Sequence, residues 1–171
     1  DLVLKNEERV LFNLRALYQR YGYAQYKMSK FEEYDLYARN KEFLISDSVI
    51  TFTDTNGKLM ALKPDVTLSI IKNSKDLAGS VQKLYYDENV YRTAKDSRSF
   101  KEIAQTGLEC IGDVDTYNIC EVIMLAAESL KLTEEDYLLD ISHMGFVAAL
   151  LSYLDIEGSD RDKVIKCIGE K

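Results

Sequence analysis

Two short segments hold the polar residues whose type and spacing suit a binding site. "ALKPDVTLSIIK", residues 61–72, contains Pro64, the only proline among 171 residues, followed by Asp65 and then Thr67. "FKEIAQTGLECIG", residues 100–112, alternates as a strand does. Successive side chains point to opposite faces, so Lys101, Ile103, Gln105, Gly107, Glu109 and Ile111 share one face. Ala104, Thr106, Leu108 and Cys110 share the other, which is small and mostly apolar, as a core face should be. Gln105 and Glu109 stand roughly 13 Å apart along the strand with a glycine midway. Glycine inside a strand gives up packing and often marks close approach by a ligand or another backbone. An amide and a carboxylate flanking that gap suit a small polar ligand carrying a positive amine. A β-bulge or an exposed sheet face is the plainer reading of the same residues. Asp65 has a plainer reading too, since proline and aspartate both favour a helix start through fixed φ, capping and the macrodipole. The two readings are compatible, because Asp65 can cap in the empty site and bind an amine, together with Thr67, in the occupied one.

The opposite charge lies close by in the chain. "NVYRTAKDSRSFK" carries Arg92, Lys95, Arg98 and Lys101 against one acid, Asp96, in a chain of net charge −7. Arg92, Arg98 and Lys101 are candidates for a carboxylate or phosphate, with Arg92 oriented by its place at a strand end. For Lys95 and Arg98 singly, a solvated loop is an equally good account. His143, the only histidine, sits in "ISHMG" and reads as a helix-start or packing residue. Three widely spaced cysteines fit a reducing, cytoplasmic setting better than a disulfide framework, and no zinc-ligand spacing occurs. The acidic balance argues against broad nucleic-acid binding. No apolar run approaches the ~20 residues of a membrane span. No catalytic residue, metal or cofactor is assigned.

These residues need a frame to hold them. "NEERVLFNLRALYQRYG" reads as an amphipathic helix capped by Asn6, and "YAQYKM" as a strand. "SVITFTDTNGKLMAL" reads as a hairpin turning at Asn56-Gly57. A helix is expected from Pro64 to about Leu77, then a kinked strand over "VQKLYYDENVYR", a loop, and the strand at 100–112. Asp115 should cap the helix "TYNICEVIMLAAESLKL". "YLLDIS" reads as a short strand, "MGFVAALLSYL" as a buried helix and "DRDKVIKCIG" as a last short one. The sum is an α+β fold with a mainly antiparallel sheet flanked by helices, in one domain over residues 1–171. The first residue is Asp rather than Met, so a piece of a longer protein is expected.

"LKPDVTLSIIKN" resembles the "LRPEGT" segment of histidyl-tRNA synthetases and, more closely, the "LRPDVT" form of their non-synthetase paralogue. That paralogue is the regulatory subunit of ATP phosphoribosyltransferase, from the first step of histidine biosynthesis. "VYR", a basic loop and "AQTGLECIG" resemble motif 2 of class II synthetases, and "LLDISHMGFVAALLSYL" the regulatory subunits' strand and helix. The resemblance spans nearly the whole chain and implies a class II synthetase-like core. It also implies that Asp65, Gln105 and Glu109 bind the α-amino group of histidine, with Thr67 nearby and Arg92 facing the carboxylate.

Departures matter as much. "MSKFE" puts Ser29 where motif 1 has a proline that supports the dimer interface. Arg92-Thr93-Ala94 lacks the glutamate of Arg-x-Glu that helps hold ATP, and the following loop lacks "PQ-x-GR". A second ATP arginine in motif 3 would lie past Lys171. The resemblance therefore implies a retained amino-acid pocket with eroded ATP chemistry: an inert regulatory subunit that binds histidine. It would form a homodimer within a hetero-oligomer with the short-form catalytic subunit. The rival is a divergent synthetase core using ATP and Mg²⁺, and a third reading is a class II-like module that only dimerises or binds another amino acid.

Overall fold

The structure is a computed structural model that describes residues 4–40, 49–74, 79–93, 99–133, 136–141 and 143–169. Contacts divide the chain into Asp1–Glu135 and Asp136–Lys171. In the first unit, helical spacing of Leu14, Leu17, Tyr18 and Tyr21 makes Asn6–Arg20 the first helix, α1, with that stripe inward. The cap differs from expectation by one residue. Glu8 takes the backbone N–H of Lys5 at 2.8 Å, while Asn6 lies inside the helix and accepts from Arg9.

Ala24–Gln25 (β1), Phe31–Glu33 (β2), the short helix Tyr34–Ala38 (α2), Thr51–Thr53 (β3) and Leu59–Leu62 (β4) follow. The β3–β4 hairpin turns where expected. The Asp54 carboxylate accepts from the N–H groups of Asn56 and Lys58, both at 2.8 Å, and Gly57 takes φ +81°, which favours glycine. Thr67–Asn73 (α3) precedes the two long strands Val81–Thr93 (β5) and Phe100–Gly112 (β6), and Thr116–Lys131 (α4) closes the unit. The Asp115 side chain caps α4 as expected, accepting from Asn118 N–H at 2.9 Å.

Among the described residues, two three-stranded sheets form, in orders β1-β5-β6 and β2-β4-β3. All pairings are antiparallel except β1 with β5, so the mainly antiparallel α+β organisation is what forms. Instead of the expected kink, β5 pairs with β6 in unbroken register over all thirteen residues. One face of this ribbon, through Tyr85 and Leu108, packs on Tyr18 and Tyr23 and on Leu125 of α4. Its other face, through Tyr86 and Val90, packs on Val66 and Ile70 at the start and middle of α3. Lys83 and Glu121 form an ion pair at 2.6 Å on the α4 side, with Glu121 almost wholly buried.

The second unit contains Met144–Tyr153 (α5) and Gly158–Gly169 (α6). His143 begins α5, its Nδ1 accepting from Phe146 N–H at 3.1 Å, which is the helix-start role read from the sequence. Residues 137–141 form no strand, because an extended segment becomes one only when a partner takes its backbone groups. Nor is α5 sealed: Phe146 is 69% exposed and Tyr153 84%.

Candidate functional site

The register decides which predicted residues share a surface. Leu84, Tyr86, Glu88, Val90 and Arg92 of β5 stand opposite Glu109, Gly107, Gln105, Ile103 and Lys101 of β6. All therefore lie on one sheet face, the one that α3 covers. Helix α3 begins at Thr67, three residues after the expected start at Pro64, so residues 63–66 form a non-helical lead-in to it.

That lead-in is tightly held. Lys63 N–H donates to Lys30 O at 3.1 Å, Lys63 O accepts from Tyr91 N–H at 2.9 Å, and Arg92 Nε donates to Pro64 O at 3.0 Å. The Lys63 side chain is fully buried and its Nζ meets Glu88 Oε2 at 2.5 Å. Burial of an ammonium is tolerable only with such a partner. Pro64 adds a fixed φ at the next position.

Held this way, Asp65 and Thr67 face β6. Asp65 Oδ1 accepts from Leu68 N–H at 3.2 Å, a cap-type bond that also fixes the carboxylate. Thr67 Oγ1 donates to Glu109 Oε1 at 2.6 Å, joining helix start and strand directly. Gln105 Nε2 donates to Tyr86 Oη at 3.1 Å on the same face. Burial pushes the Glu109 carboxyl above the usual carboxylate range, the Thr67 bond opposes this, and the nearby Asp65 charge adds to it. Burial, and then Glu109 and Asp65, likewise raise Tyr86, against the lowering effect of the Gln105 bond. Among the described residues, neither Asp65 nor Glu109 is paired with a lysine or arginine. Two half-buried carboxylates without a cation among the described residues, beside an amide and two hydroxyls, have the chemistry to accept from a compact positive group.

Asp65, Thr67, Gln105 and Glu109 are thus brought onto one surface. Arg92 joins them at its edge, but its Nε is engaged in holding Pro64. Lys101, opposite Arg92, is exposed, and Arg98 falls outside the described residues, as do Lys95 and Asp96. The gap at Gly107 has a different occupant from the expected ligand. A Cβ there would stand 2.5 Å from Tyr86 Oη, so the glycine makes room for the tyrosine that Gln105 holds. Gly107→Ala should therefore destabilise the protein by about 1–3 kcal/mol through overpacking. It should also weaken ligand binding by displacing Tyr86 and Gln105. Thermal unfolding and calorimetry on the same preparation check both effects.

Sequence reasoning missed Lys63, Glu88 and Tyr86. Lys63 was visible beside Pro64, yet nothing in a linear reading assigns it the distant Glu88. A groove of about 520 Å³ lies on the other side of the sheet, lined by Val10, Leu11, Leu14 and Ala104. It contains none of the predicted site residues, and its acidic lining residues are Glu7, Glu8 and Asp87, the last of which is paired with Arg15.

Comparison with known proteins gives the family. The histidyl-tRNA synthetase family profile matches residues 3–171. The chain is 27% identical to the histidine–tRNA ligase of Methanocaldococcus jannaschii, over 98% of this chain and 41% of that protein. It is 26% identical to the ATP phosphoribosyltransferase regulatory subunit of Oceanobacillus iheyensis, over 95% of this chain and 40% of that one. A crystal structure described as an ATP phosphoribosyltransferase regulatory subunit/histidyl-tRNA synthetase, from Bacillus halodurans, superimposes with a TM-score of 0.70. At 24% identity, covering 92% of this chain and 42% of that one, it establishes likeness of fold. The chain spans about two fifths of the length of these curated relatives. With the profile running from residue 3 to residue 171 and the α+β core superimposing on a solved relative, the chain belongs to the histidyl-tRNA synthetase family.

Proposed function

We propose that this chain is part of a regulatory subunit of ATP phosphoribosyltransferase, inert by itself, that binds histidine and acts on a short-form catalytic subunit. The single observation that carries the reading is the convergence of Asp65, Thr67 and Glu109 around an uncompensated negative surface. In this reading the carboxylates and Gln105 receive the α-ammonium group of histidine. Arg92 meets its carboxylate, with Lys101 and Arg98 adding weaker attraction for an anion. Thr93 and Ala94 stand where an ATP-binding enzyme of this kind would use a glutamate. That absence favours sensing over adenylation, whose rate rests on positioning and charge stabilisation at the phosphate. Feedback then requires that histidine bind two states of a cytoplasmic hetero-oligomer, built on homodimers of this subunit, with different affinity.

The second reading, a synthetase core using ATP and Mg²⁺, is favoured by the ligases among its relatives. Histidine-dependent ATP–pyrophosphate exchange by the full-length protein separates the two. No exchange above background, together with histidine binding by calorimetry, is expected; robust exchange overturns the regulatory reading.

Glu109 adds a pH signature. Its raised pKa means that the contribution of Glu109 to folding stability is fully present below the ordinary glutamate pKa of about 4.3 and is lost as pH rises through the folded value. An ammonium ligand favours the ionised form, so binding releases a proton and affinity should rise with pH across that window. Glu109→Gln should remove this slope, while any slope from the ligand's imidazole persists in both proteins. Parallel slopes for parent and variant would show that Glu109 does not face the ligand.

A further inference from the structure

The peptide group that joins Pro64 to Asp65 is the last one before the carboxylate that faces β6. Proline has no N–H, so the buried Pro64 can be hydrogen-bonded only through its carbonyl. Among the described residues that carbonyl has one donor, Arg92 Nε at 3.0 Å. The bonds of Lys63 end one residue earlier, at its own N–H, carbonyl and Nζ. Those of α3 begin one residue beyond Asp65, where Val66 O accepts from Ile70 N–H at 3.1 Å. A peptide group is planar, so fixing the Pro64 oxygen fixes the plane that ends on the Asp65 nitrogen. The Leu68 N–H, 3.2 Å from Asp65 Oδ1, then sets the carboxylate itself.

Arg92 can do this and still meet a ligand. Nε is the inner nitrogen of the guanidinium, and the two terminal nitrogens have no partner among the described residues. The side chain is half-buried rather than sealed, and it lies on the sheet face that carries Gln105 and Glu109. A guanidinium is planar and rigid, so the bond made at Nε also fixes the direction of the outer fork.

We propose that Arg92 is a positioning residue for amine recognition as well as an anion contact, aiming Asp65 through its bond to the Pro64 carbonyl. One guanidinium then sets both ends of the site, so the two poles of an α-amino acid are recognised as a pair. This rests on the amino-acid reading given above and adds a role to it.

Two substitutions separate the roles. Arg92→Gln carries an amide nitrogen at the place of Nε, so it keeps the donor for Pro64 and loses the charge and the outer fork. Arg92→Met has nearly the same length and is equally uncharged, but it puts a methyl group at that place. The test is calorimetry of the full-length protein and both variants with histidine, at a temperature where thermal unfolding shows each of them folded. Hydrogen exchange of the Leu68 amide, followed by NMR without ligand, reports how firmly Asp65 is held. Arg92→Gln should bind histidine more weakly than the parent, yet about fivefold or more tightly than Arg92→Met, in the range of one net hydrogen bond. Leu68 exchange should stay near the parent's rate in Arg92→Gln and rise several-fold in Arg92→Met. Equal histidine affinity in the two variants, or equal Leu68 exchange, overturns the positioning role and leaves Arg92 an anion contact only. Should Arg92→Met not fold, Arg92→Gln decides alone: parent-like Leu68 exchange supports the role and faster exchange overturns it. Absence of histidine binding by the parent overturns the amino-acid reading, and this role with it.

Discussion

Asp65→Asn should lower histidine affinity of the full-length protein by about 1.5–3 kcal/mol, roughly 10- to 150-fold, with little change in stability. The substitution is chosen because it separates two jobs of one side chain. Asparagine keeps an oxygen for the Leu68 N–H and caps about as well as aspartate, so the start of α3 is preserved. What disappears is the negative charge and with it a charge-assisted bond to the ligand's ammonium. The change also removes a charge that raises the Glu109 carboxyl, so above the carboxylate range stability should hold or improve slightly. Asp65→Ala, lacking the oxygen as well, should lose about a further 1 kcal/mol of stability. Should the asparagine variant bind histidine as the parent does, Asp65 serves only the helix, and the amine must be received elsewhere.

The second large effect concerns the buried pair beneath the lead-in. Glu88→Ala should destabilise the protein by about 3–5 kcal/mol, because it leaves the Lys63 ammonium buried without its partner. The Lys63 side chain is 1% exposed and that of Glu88 17%, so water reaches the lysine poorly even after the change. Replacing both, as Lys63→Met with Glu88→Leu, should recover most of the loss, since two well-packed apolar side chains carry no desolvation penalty. Chemical denaturation of the full-length protein, Glu88→Ala and the double variant provides the comparison. A loss below about 1 kcal/mol for Glu88→Ala would mean that Lys63 finds solvent or another acceptor.

The two effects are linked through the backbone. Lys63 and Pro64 are gripped by bonds to Lys30, Tyr91 and Arg92, and Glu88 stands directly opposite Gln105 in the β5–β6 register. A shift of the lead-in would thus move Asp65 from the helix side and Gln105 from the strand side together. Under the proposed function, the site would be preorganised by the same bonds that hold the fold, so ordering of its side chains need not be supplied by the ligand.

Local features of the chain were legible because their causes are local. Alternation in "FKEIAQTGLECIG" put Gln105 and Glu109 on one face, and the β5–β6 register keeps them there. Asn56-Gly57 turned its hairpin and Asp115 capped its helix, since a positive φ and a nearby N–H depend only on neighbours in sequence. Misreadings came where a distant partner decides. "YLLDIS" has strand composition but no strand among the described residues, and α3 starts late because the Pro64 carbonyl is taken by Arg92, 28 positions away. Gly107 seemed to leave space for a ligand, yet Tyr86 fills it from the opposing strand.

By itself, then, the sequence determined the α+β class, the family motifs and which side chains share the β6 face, all consequences of period and short-range geometry. Only the tertiary structure decided that Thr67 bonds Glu109, that Lys63 needs Glu88, and that Tyr86 fills the space left by Gly107. Those facts depend on strand register and on α3 packing across β5 and β6. Such long-range contacts set burial and charge proximity, and no spacing along the chain encodes them.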